Sequence, residues 1–157
     1  MTVAIYTQTG NAERLRTAPR VFAAVAALGC LSVMLIALRL QPSHSGVGTH
    51  TAIGFANCDF LARTGLPCPS CGMTTSFSWF ARGNLIASLW VQPMGTVLAI
   101  ITCACFWGGL YVAITGKPVY RLMRLVPHRY YLIPLLSFAI LAWGWKMFIH
   151  LRGMDGW

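Results

Sequence analysis

Charged side chains are scarce in this chain of 157 residues, and acidic ones are the scarcest. They make up 10% of the sequence, with 12 Lys and Arg but only 3 Asp and Glu. A soluble domain carries about 25% charged residues, so this chain has too few to cover a water-exposed surface. The composition therefore excludes an ordinary cytosolic enzyme and a disordered tail. With 57% hydrophobic residues, it predicts a small integral membrane protein.

Several functional classes lack the residues they need. The only carboxylates are Glu13, Asp59 and Asp155, which argues against paired-carboxylate catalysis within one chain. The sequence contains no Walker loop, dinucleotide fingerprint, nucleophile elbow or HExxH motif. The basic residues that give the chain its net charge of +9 flank the apolar runs. They therefore predict contact with anionic lipid headgroups and no nucleic acid. The sequence leaves an enzymatic role open and favours a non-catalytic one.

Three long apolar runs predict three transmembrane helices. About twenty helical residues cross the ~30 Å hydrocarbon core, and the predicted spans cover about 21–40, 93–115 and 131–151. The first run is too long for a typical signal-peptide core, so we expect it to be a retained span. Lys146 lies near the end of the third run, where we expect it to snorkel to the headgroups.

The second apolar run begins well before its span. Pro93 is tolerated in a first helical turn, so Leu85–Gln92 is either a short interfacial helix or the start of one long tilted helix. Upstream, Met73, Phe77 and Phe80 recur at helical spacing and predict an apolar stripe. The fold class is thus all-α, in a single membrane domain of residues 1–157. It has three transmembrane helices plus a short amphipathic interfacial or re-entrant helix, and residues 41–92 hold a cysteine motif and the short helices.

The distribution of basic residues predicts a weak orientation preference. With the N-terminus inside, seven basic residues lie on the inner side: Arg14, Arg16, Arg20, Lys117, Arg121, Arg124 and Arg129. Five lie outside: Arg39, Arg63, Arg82, Lys146 and Arg152. The positive-inside rule then places the N-terminus in the cytoplasm and the cysteine motif on the outer face. The basic segment Lys117–Arg129 is expected to contact anionic lipids.

Three of the six cysteines carry little functional signal. Cys30, Cys103 and Cys105 lie inside predicted spans, where a free thiol packs as a small hydrophobe. By contrast, the segment Cys68–Gly72 reads Cys-Pro-Ser-Cys-Gly and contains a Cys-x-x-Cys pair in a turn-rich context. Three interpretations of this pair remain open.

Each interpretation predicts different chemistry. A zinc or iron site is possible, with candidate ligands Cys58, Cys68, Cys71, His44 and His50 and with Asp59 nearby, although no second Cys-x-x-Cys is present. A redox dithiol is also possible if Cys68 caps a helix that starts at Pro69, because the helix N-terminus lowers the thiol pKa. Such a dithiol beside a membrane helix can pass electrons to a quinone. In the third interpretation, a disulfide or sulfur-capped turn simply holds the loop to the next helix.

The motif and the residues that follow it resemble a family of short bacterial membrane proteins known as domain of unknown function 2752. The resemblance rests on Gly65, Pro67, Cys68, Pro69, Cys71, Gly72 and Thr74, followed by Arg82-Gly83-Asn84 and Gln92-Pro93. It implies a bacterial inner-membrane protein and no settled activity. This chain departs from the family pattern at Thr75, where Arg is usual, and at Gln92, where Asn or His is commoner.

The leading functional hypothesis is a structural or accessory subunit of a larger membrane assembly. Three helices enclose little interior, so much of their apolar surface must face lipid or other membrane subunits. Cys68 and Cys71 would then staple the loop to the re-entrant helix, with no cofactor required. The alternatives are an envelope thiol–disulfide oxidoreductase and a metal-binding membrane protein.

Overall fold

The computed structural model describes residues 15, 17–56, 58–117 and 129–157, whose regular secondary structure is helical, with no strand. The long helices are α1 (Thr17–Arg39), α5 (Pro93–Thr115) and α6 (Arg129–Leu151). The short ones are a 3-10 helix (Thr49–Ile53), α2 (Asp59–Thr64), α3 (Met73–Ala81) and α4 (Leu85–Val91). Helices α1, α5 and α6 are each long and apolar enough to cross a membrane, which confirms the predicted fold class.

Helices α1 and α5 form an antiparallel pair. Near the start of α1, the Arg20 side chain donates a hydrogen bond of 2.9 Å to the carbonyl of Ala113 near the end of α5. Gly109 faces Ala27 so closely that a methyl group added at Gly109 would lie 2.9 Å from the Ala23 carbonyl oxygen. Small residues thus let the two backbones approach each other, as is usual where helices pack in lipid.

Residues 41–92, apart from 57, form a cap over one end of the long helices. The cap follows the C-terminal end of α1 and leads directly into α5. Helix α6 reaches it through two indoles: Trp143 donates to the Pro67 carbonyl at 3.0 Å and Trp145 donates to the Trp90 carbonyl at 2.8 Å. The cap therefore lies at the same end of all three long helices.

The junction between α4 and α5 settles the choice left open for Leu85–Gln92. Helix α4 ends at Val91, Gln92 is extended with φ −160°, and α5 starts at Pro93. The Asn84 side chain caps α4 by accepting a hydrogen bond of 3.0 Å from the Ala87 backbone N–H. A short helix precedes the span, and the expectation of one long tilted helix is wrong.

Helix α3 turns its polar face inward. Its buried residues are Thr75, Ser76 and Ser78, whereas the apolar stripe of Met73, Phe77 and Phe80 is only partly buried. A hydroxyl in apolar surroundings is costly unless it is hydrogen-bonded, and Thr75 and Ser76 lie where other elements offer partners. Ser78 Oγ is buried without a hydrogen-bond partner among the described residues. Helix α3 is amphipathic as predicted, but its polar side is the one that packs against the protein.

The expectation that Lys146 snorkels is wrong. Its side chain is 0% exposed, and its Nζ lies 3.0 Å from Asp155 Oδ1 and 3.4 Å from the Gly46 carbonyl oxygen. After α6 the chain turns at Gly153, which has φ +67°, and brings Asp155 back against the helix. The Asp155 carboxylate also accepts a hydrogen bond from His150 Nδ1. A local counter-charge makes burial of the ammonium group tolerable.

The predicted lipid contact at Lys117–Arg129 lies almost entirely outside the described residues. Residues 118–128 lie outside the described residues, as do most of the N-terminal basic residues that entered the orientation prediction.

Candidate functional site: a three-cysteine cluster

The Cys68–Gly72 motif forms consecutive turns. The Cys71 backbone N–H donates to the Cys68 carbonyl at 3.0 Å, and the Met73 N–H donates to the Ser70 carbonyl at 3.1 Å. Helix α3 then begins at Met73, with Gly72 as its N-cap. Cys68 therefore does not cap a helix that starts at Pro69, and that part of the redox interpretation is wrong.

Glycine is needed at position 72 for two reasons. Gly72 has φ +84°, a left-handed conformation that side chains with a Cβ rarely adopt. In addition, a Cβ at this position would lie only 2.7 Å from the Gly46 carbonyl oxygen. The motif is thus packed tightly against the loop that follows α1.

The fold brings three cysteines together. The Sγ atoms of Cys58, Cys68 and Cys71 all lie within 4.8 Å of one another. The Sγ atoms of Cys68 and Cys71 are hydrogen-bonded at 3.2 Å. Cys58 immediately precedes α2, so this short helix and the turn after it return the chain to the third sulfur. All three cysteines are free thiols.

The two motif thiols differ in acidity. Partial burial raises the pKa of Cys68, but hydrogen bonds from Ser70, Cys71 and Cys58 outweigh it and lower that pKa from its ordinary value of 9.0 to about 7. Burial and, to a smaller extent, the hydrogen bond with Cys68 raise the pKa of Cys71 to about 12. Near neutral pH Cys68 is therefore a thiolate in a large fraction of molecules, whereas Cys71 stays a neutral thiol.

The histidine candidates are placed differently. His50 lines the same cavity as the three cysteines, and its Nε2 lies 3.1 Å from the Ala56 carbonyl oxygen. His44 is exposed, and its backbone carbonyl faces Gly156. Among the described residues, the group close enough to share a metal ion consists of the three cysteines, whereas a structural zinc site needs four ligands.

The remaining motif residues position the cluster. Gly65 ends α2 in a left-handed conformation with φ +70°. The Pro67 carbonyl accepts the Trp143 indole N–H, and the Pro69 carbonyl accepts a hydrogen bond of 2.9 Å from Gln92 Nε2. Gln92 lies immediately before Pro93, the first residue of α5. Both prolines of the turn are thus held by side chains that belong to or adjoin the long helices.

A cavity of about 580 Å³ adjoins the cluster. Val33, Ile36 and Ala37 of α1 form one wall together with Leu40, which follows the helix. Helix α3 contributes Met73, Thr74 and Phe77. The cysteine sulfurs, His50 and Ser70 complete the lining. The volume is typical of small-molecule sites, which are commonly apolar with a few polar groups.

A buried hydroxyl cluster, which the sequence did not predict, holds the helices of the cap. Ser76 Oγ is hydrogen-bonded to Ser88 Oγ at 2.9 Å and to Thr96 Oγ1 at 3.2 Å. It also donates toward the carbonyl of Gln92 at 3.1 Å. A methyl group at Gly95 would lie 2.8 Å from Ser76 Oγ. The sequence signal that could have revealed this cluster is the run of Ser and Thr at 74–78 in an otherwise apolar segment.

The segment that holds the cluster and the hydroxyl network coincides with a family match. Residues 58–107 match the family described as Protein of unknown function (DUF2752). This confirms the resemblance drawn from the motif. The DUF2752 segment starts at Cys58, so it contains all three cluster cysteines and ends within α5. No curated protein and no solved structure matches the chain.

At both positions where this chain departs from the DUF2752 pattern, Thr75 and Gln92, the side chain is buried and hydrogen-bonded. Thr75, at the position where arginine is usual, is hydrogen-bonded through Oγ1 to Thr49 Oγ1 at 2.7 Å. Gln92 donates to the motif at Pro69. In this chain both residues therefore connect α3 and α5 to the loops around the cysteines.

Proposed function

We propose that this protein is a membrane thiol–disulfide oxidoreductase whose reactive pair is Cys68 and Cys71. The observation that carries the proposal is the 3.2 Å approach of their sulfur atoms in a Cys-x-x-Cys turn. A disulfide needs an S–S distance of about 2.05 Å, so a small rotation of the side chains is enough to form the bond. Cys71 is only 6% exposed and Cys68 is partly exposed, so an incoming substrate meets Cys68 first.

The proposed reaction is disulfide exchange, in which the bond moves from one thiol pair to another. A substrate thiolate attacks the Cys68 sulfur of the Cys68–Cys71 disulfide, and Cys71 leaves and takes up a proton. The second substrate thiolate then attacks the substrate sulfur that is now bonded to Cys68, and Cys68 leaves as a thiolate. The substrate gains a disulfide and this protein becomes a dithiol, so electrons and protons balance.

Cys58 lies close enough to take part. Its sulfur is within 4.8 Å of both others, so a Cys58–Cys68 bond is an alternative to the Cys68–Cys71 bond. A third thiol beside an exchange pair allows an internal rearrangement, in which a mixed disulfide on Cys68 is released by either neighbour.

A trapping experiment tests this function. The purified full-length protein is reacted with a cysteine peptide activated as a thionitrobenzoate disulfide, and the intact mass is followed. We expect wild-type protein to release the peptide as Cys71 displaces it, whereas the double variant Cys58→Ala/Cys71→Ala keeps the peptide on Cys68. Cys103→Ala, a partly exposed cysteine in α5, is the matched control and should behave as wild type. Equal retention by wild type and the double variant would refute the proposal.

A metal centre is the second candidate, supported by the convergence of three sulfurs within 4.8 Å. Three thiolates suit zinc or iron, and the fourth ligand would be a molecule in the cavity or a residue of a partner protein. Metal analysis of protein purified without chelator tests it. Stoichiometric metal in wild type, lost in Cys58→Ser and kept in Cys103→Ser, would support this candidate. Substoichiometric metal in wild type would dispose of it.

A role as an accessory subunit stays a prediction and is compatible with either chemistry. It is supported by large apolar side chains that are exposed on the long helices, including Phe22, Trp107 and Leu141. Purification in a mild detergent should recover the chain with partner subunits. A monodisperse monomer would count against this role.

A further inference from the structure

The cavity beside the thiols has the features of a ligand site that opens beside the apolar surface of α1. Val33 and Ile36 on its α1 wall are 47% and 50% exposed, although they belong to a helix long and apolar enough to span a bilayer. A molecule dissolved in the bilayer can therefore reach the cavity past α1. A water-soluble substrate has no comparable reason to enter an opening with aliphatic walls.

The chemistry of the lining narrows the class of ligand. Side chains from α1 and α3 supply apolar walls, while His50, Ser70 and Thr74 supply a few hydrogen-bonding groups. Cys58, Cys68 and Cys71 form part of the same lining, so a bound molecule touches sulfur directly. A flat apolar ring that carries two carbonyl oxygens matches this combination better than an acyl chain, which makes no use of the polar groups.

A redox argument points to the same class. If the Cys68–Cys71 disulfide oxidises a substrate, each turnover leaves a dithiol that must lose two electrons before the next one. The oxidant must reach two sulfurs that lie beside the lipid-facing cavity rather than free in water. Lipid-soluble quinones are two-electron oxidants that dissolve in the bilayer.

We propose that this cavity binds the ring of a lipid-soluble quinone, which reoxidises the Cys68–Cys71 pair. The inference rests on the proposed exchange function and names its electron acceptor. The Cys68 thiolate adds to the quinone ring and forms a carbon–sulfur bond. The Cys71 sulfur then attacks Cys68, the carbon–sulfur bond breaks, and its electron pair stays with the ring. Overall, two thiols and one quinone give one disulfide and one quinol, with both thiol protons balanced by the two quinol hydroxyls.

The experiment uses full-length, pre-reduced protein in lipid nanodiscs without oxygen. Short-chain benzoquinone and naphthoquinone analogues are added, loss of quinone absorbance is followed, and the disulfide is detected by mass. Val33→Trp places a large ring in the cavity, and Leu35→Trp is its matched control because Leu35 is 52% exposed on the same helix and does not line the cavity. We expect Val33→Trp to weaken quinone affinity by about tenfold or more, or ~1.4 kcal/mol, whereas Leu35→Trp matches wild type.

Diamide, a soluble thiol oxidant, distinguishes a failure of the quinone inference from a failure of the proposed exchange function. Wild type and both tryptophan variants should form the disulfide with diamide at equal rates, which shows that the substitutions leave the thiol pair reactive; equal thermal unfolding in detergent shows that the variants are folded. If diamide works but neither quinone oxidises the wild-type protein, the quinone inference fails and the exchange function stands. If neither oxidant forms the disulfide, both fail.

Two further outcomes would overturn the inference alone. One is equal quinone oxidation of wild type and Val33→Trp, because the reaction then does not need the cavity. The other is a phospholipid that co-purifies in the cavity, is lost in Val33→Trp and is not displaced by either quinone. In that case an acyl chain is the occupant.

Discussion

Cys68 and Cys71 are separated by two residues, yet their surroundings differ enough to give them different reactivity. Cys68 is surrounded by hydrogen-bond donors that stabilise its thiolate, and its pKa falls to about 7. Cys71 is buried beneath it and its pKa rises to about 12. A thiolate is the reactive form of cysteine, so the two residues divide into an attacking thiol and a resolving one.

This difference predicts a pH profile for alkylation. Because the pKa of Cys68 is lowered, its thiolate fraction rises as pH increases through about 7 and is nearly complete where an ordinary thiol is still mostly protonated. Chelator-treated protein should therefore show Cys68 alkylation that increases through pH 7 and then levels off. Cys71 should remain unreactive until the solution is strongly alkaline. Peptide mapping after short pulses of iodoacetamide measures both. A Cys68 midpoint at the ordinary value of 9.0 would contradict the prediction.

Lys146 is the second residue whose environment matters. It is buried between Asp155 and the Gly46 carbonyl, and removing one member of a buried ion pair leaves an uncompensated charge. Lys146 thereby connects two segments. Its ion pair reaches Asp155 in the C-terminal segment, and its hydrogen bond reaches Gly46 in the loop after α1.

Substitution of Asp155 should therefore destabilise the protein. We expect Asp155→Asn to lower the free energy of unfolding by about 3 kcal/mol or more, while Lys146→Met/Asp155→Asn recovers part of that loss. Lys117→Met, at an exposed lysine, should have little effect. Thermal unfolding in detergent measures all three. A double variant that is less stable than Asp155→Asn would show that Lys146 is not held by this charge.

At the scale of elements, the cap depends on hydroxyl contacts rather than on an apolar core. Helices α3, α4 and α5 meet where Ser76, Ser88 and Thr96 share hydrogen bonds. In surroundings where water is scarce, these groups satisfy one another and set how closely the helices approach. The turn that carries Cys68 and Cys71 leads directly into α3, so its position depends on this packing.

Removing the central hydroxyl should loosen the cap. Ser76→Ala removes the hydroxyl that bonds to Ser88, Thr96 and the Gln92 carbonyl, and we expect a loss of about 1–3 kcal/mol in the free energy of unfolding. Ser32→Ala is the matched control, since Ser32 is exposed and bonds only within α1 at the Leu28 carbonyl. The two variants are compared by thermal unfolding in detergent. Equal stability would mean that the hydroxyl cluster is not what holds these helices.

The elements also differ in how far they could be predicted. The three spans follow from runs of apolar residues, and the start of α5 follows from Pro93, because both signals are local. The inward-facing polar side of α3 could not be predicted from a local signal, because the face that is buried depends on the partners that other helices supply. Lys146 was mispredicted for the same reason: its partner Asp155 lies beyond the helix end and only the fold brings it back.

At the scale of the whole molecule, the cap places all three cysteines at one end of the long helices. The distribution of basic residues predicts that this end faces outward. A membrane-impermeant maleimide should then label Cys68 in intact spheroplasts, whereas a cysteine introduced by Thr17→Cys at the other end of α1 should be labelled only after permeabilisation. Labelling is detected by mass. The reverse pattern would invert the topology.

The sequence by itself determined three membrane-spanning helices, a Cys-x-x-Cys turn and the family match that covers residues 58–107, because hydropathy, proline and glycine act over short distances. Only the tertiary structure decided that Cys58 joins Cys68 and Cys71 and that an apolar cavity adjoins them. It also decided that Lys146 is paired rather than exposed. Those features depend on residues far apart in the chain, whose approach is set by how the cap packs against α1, α5 and α6.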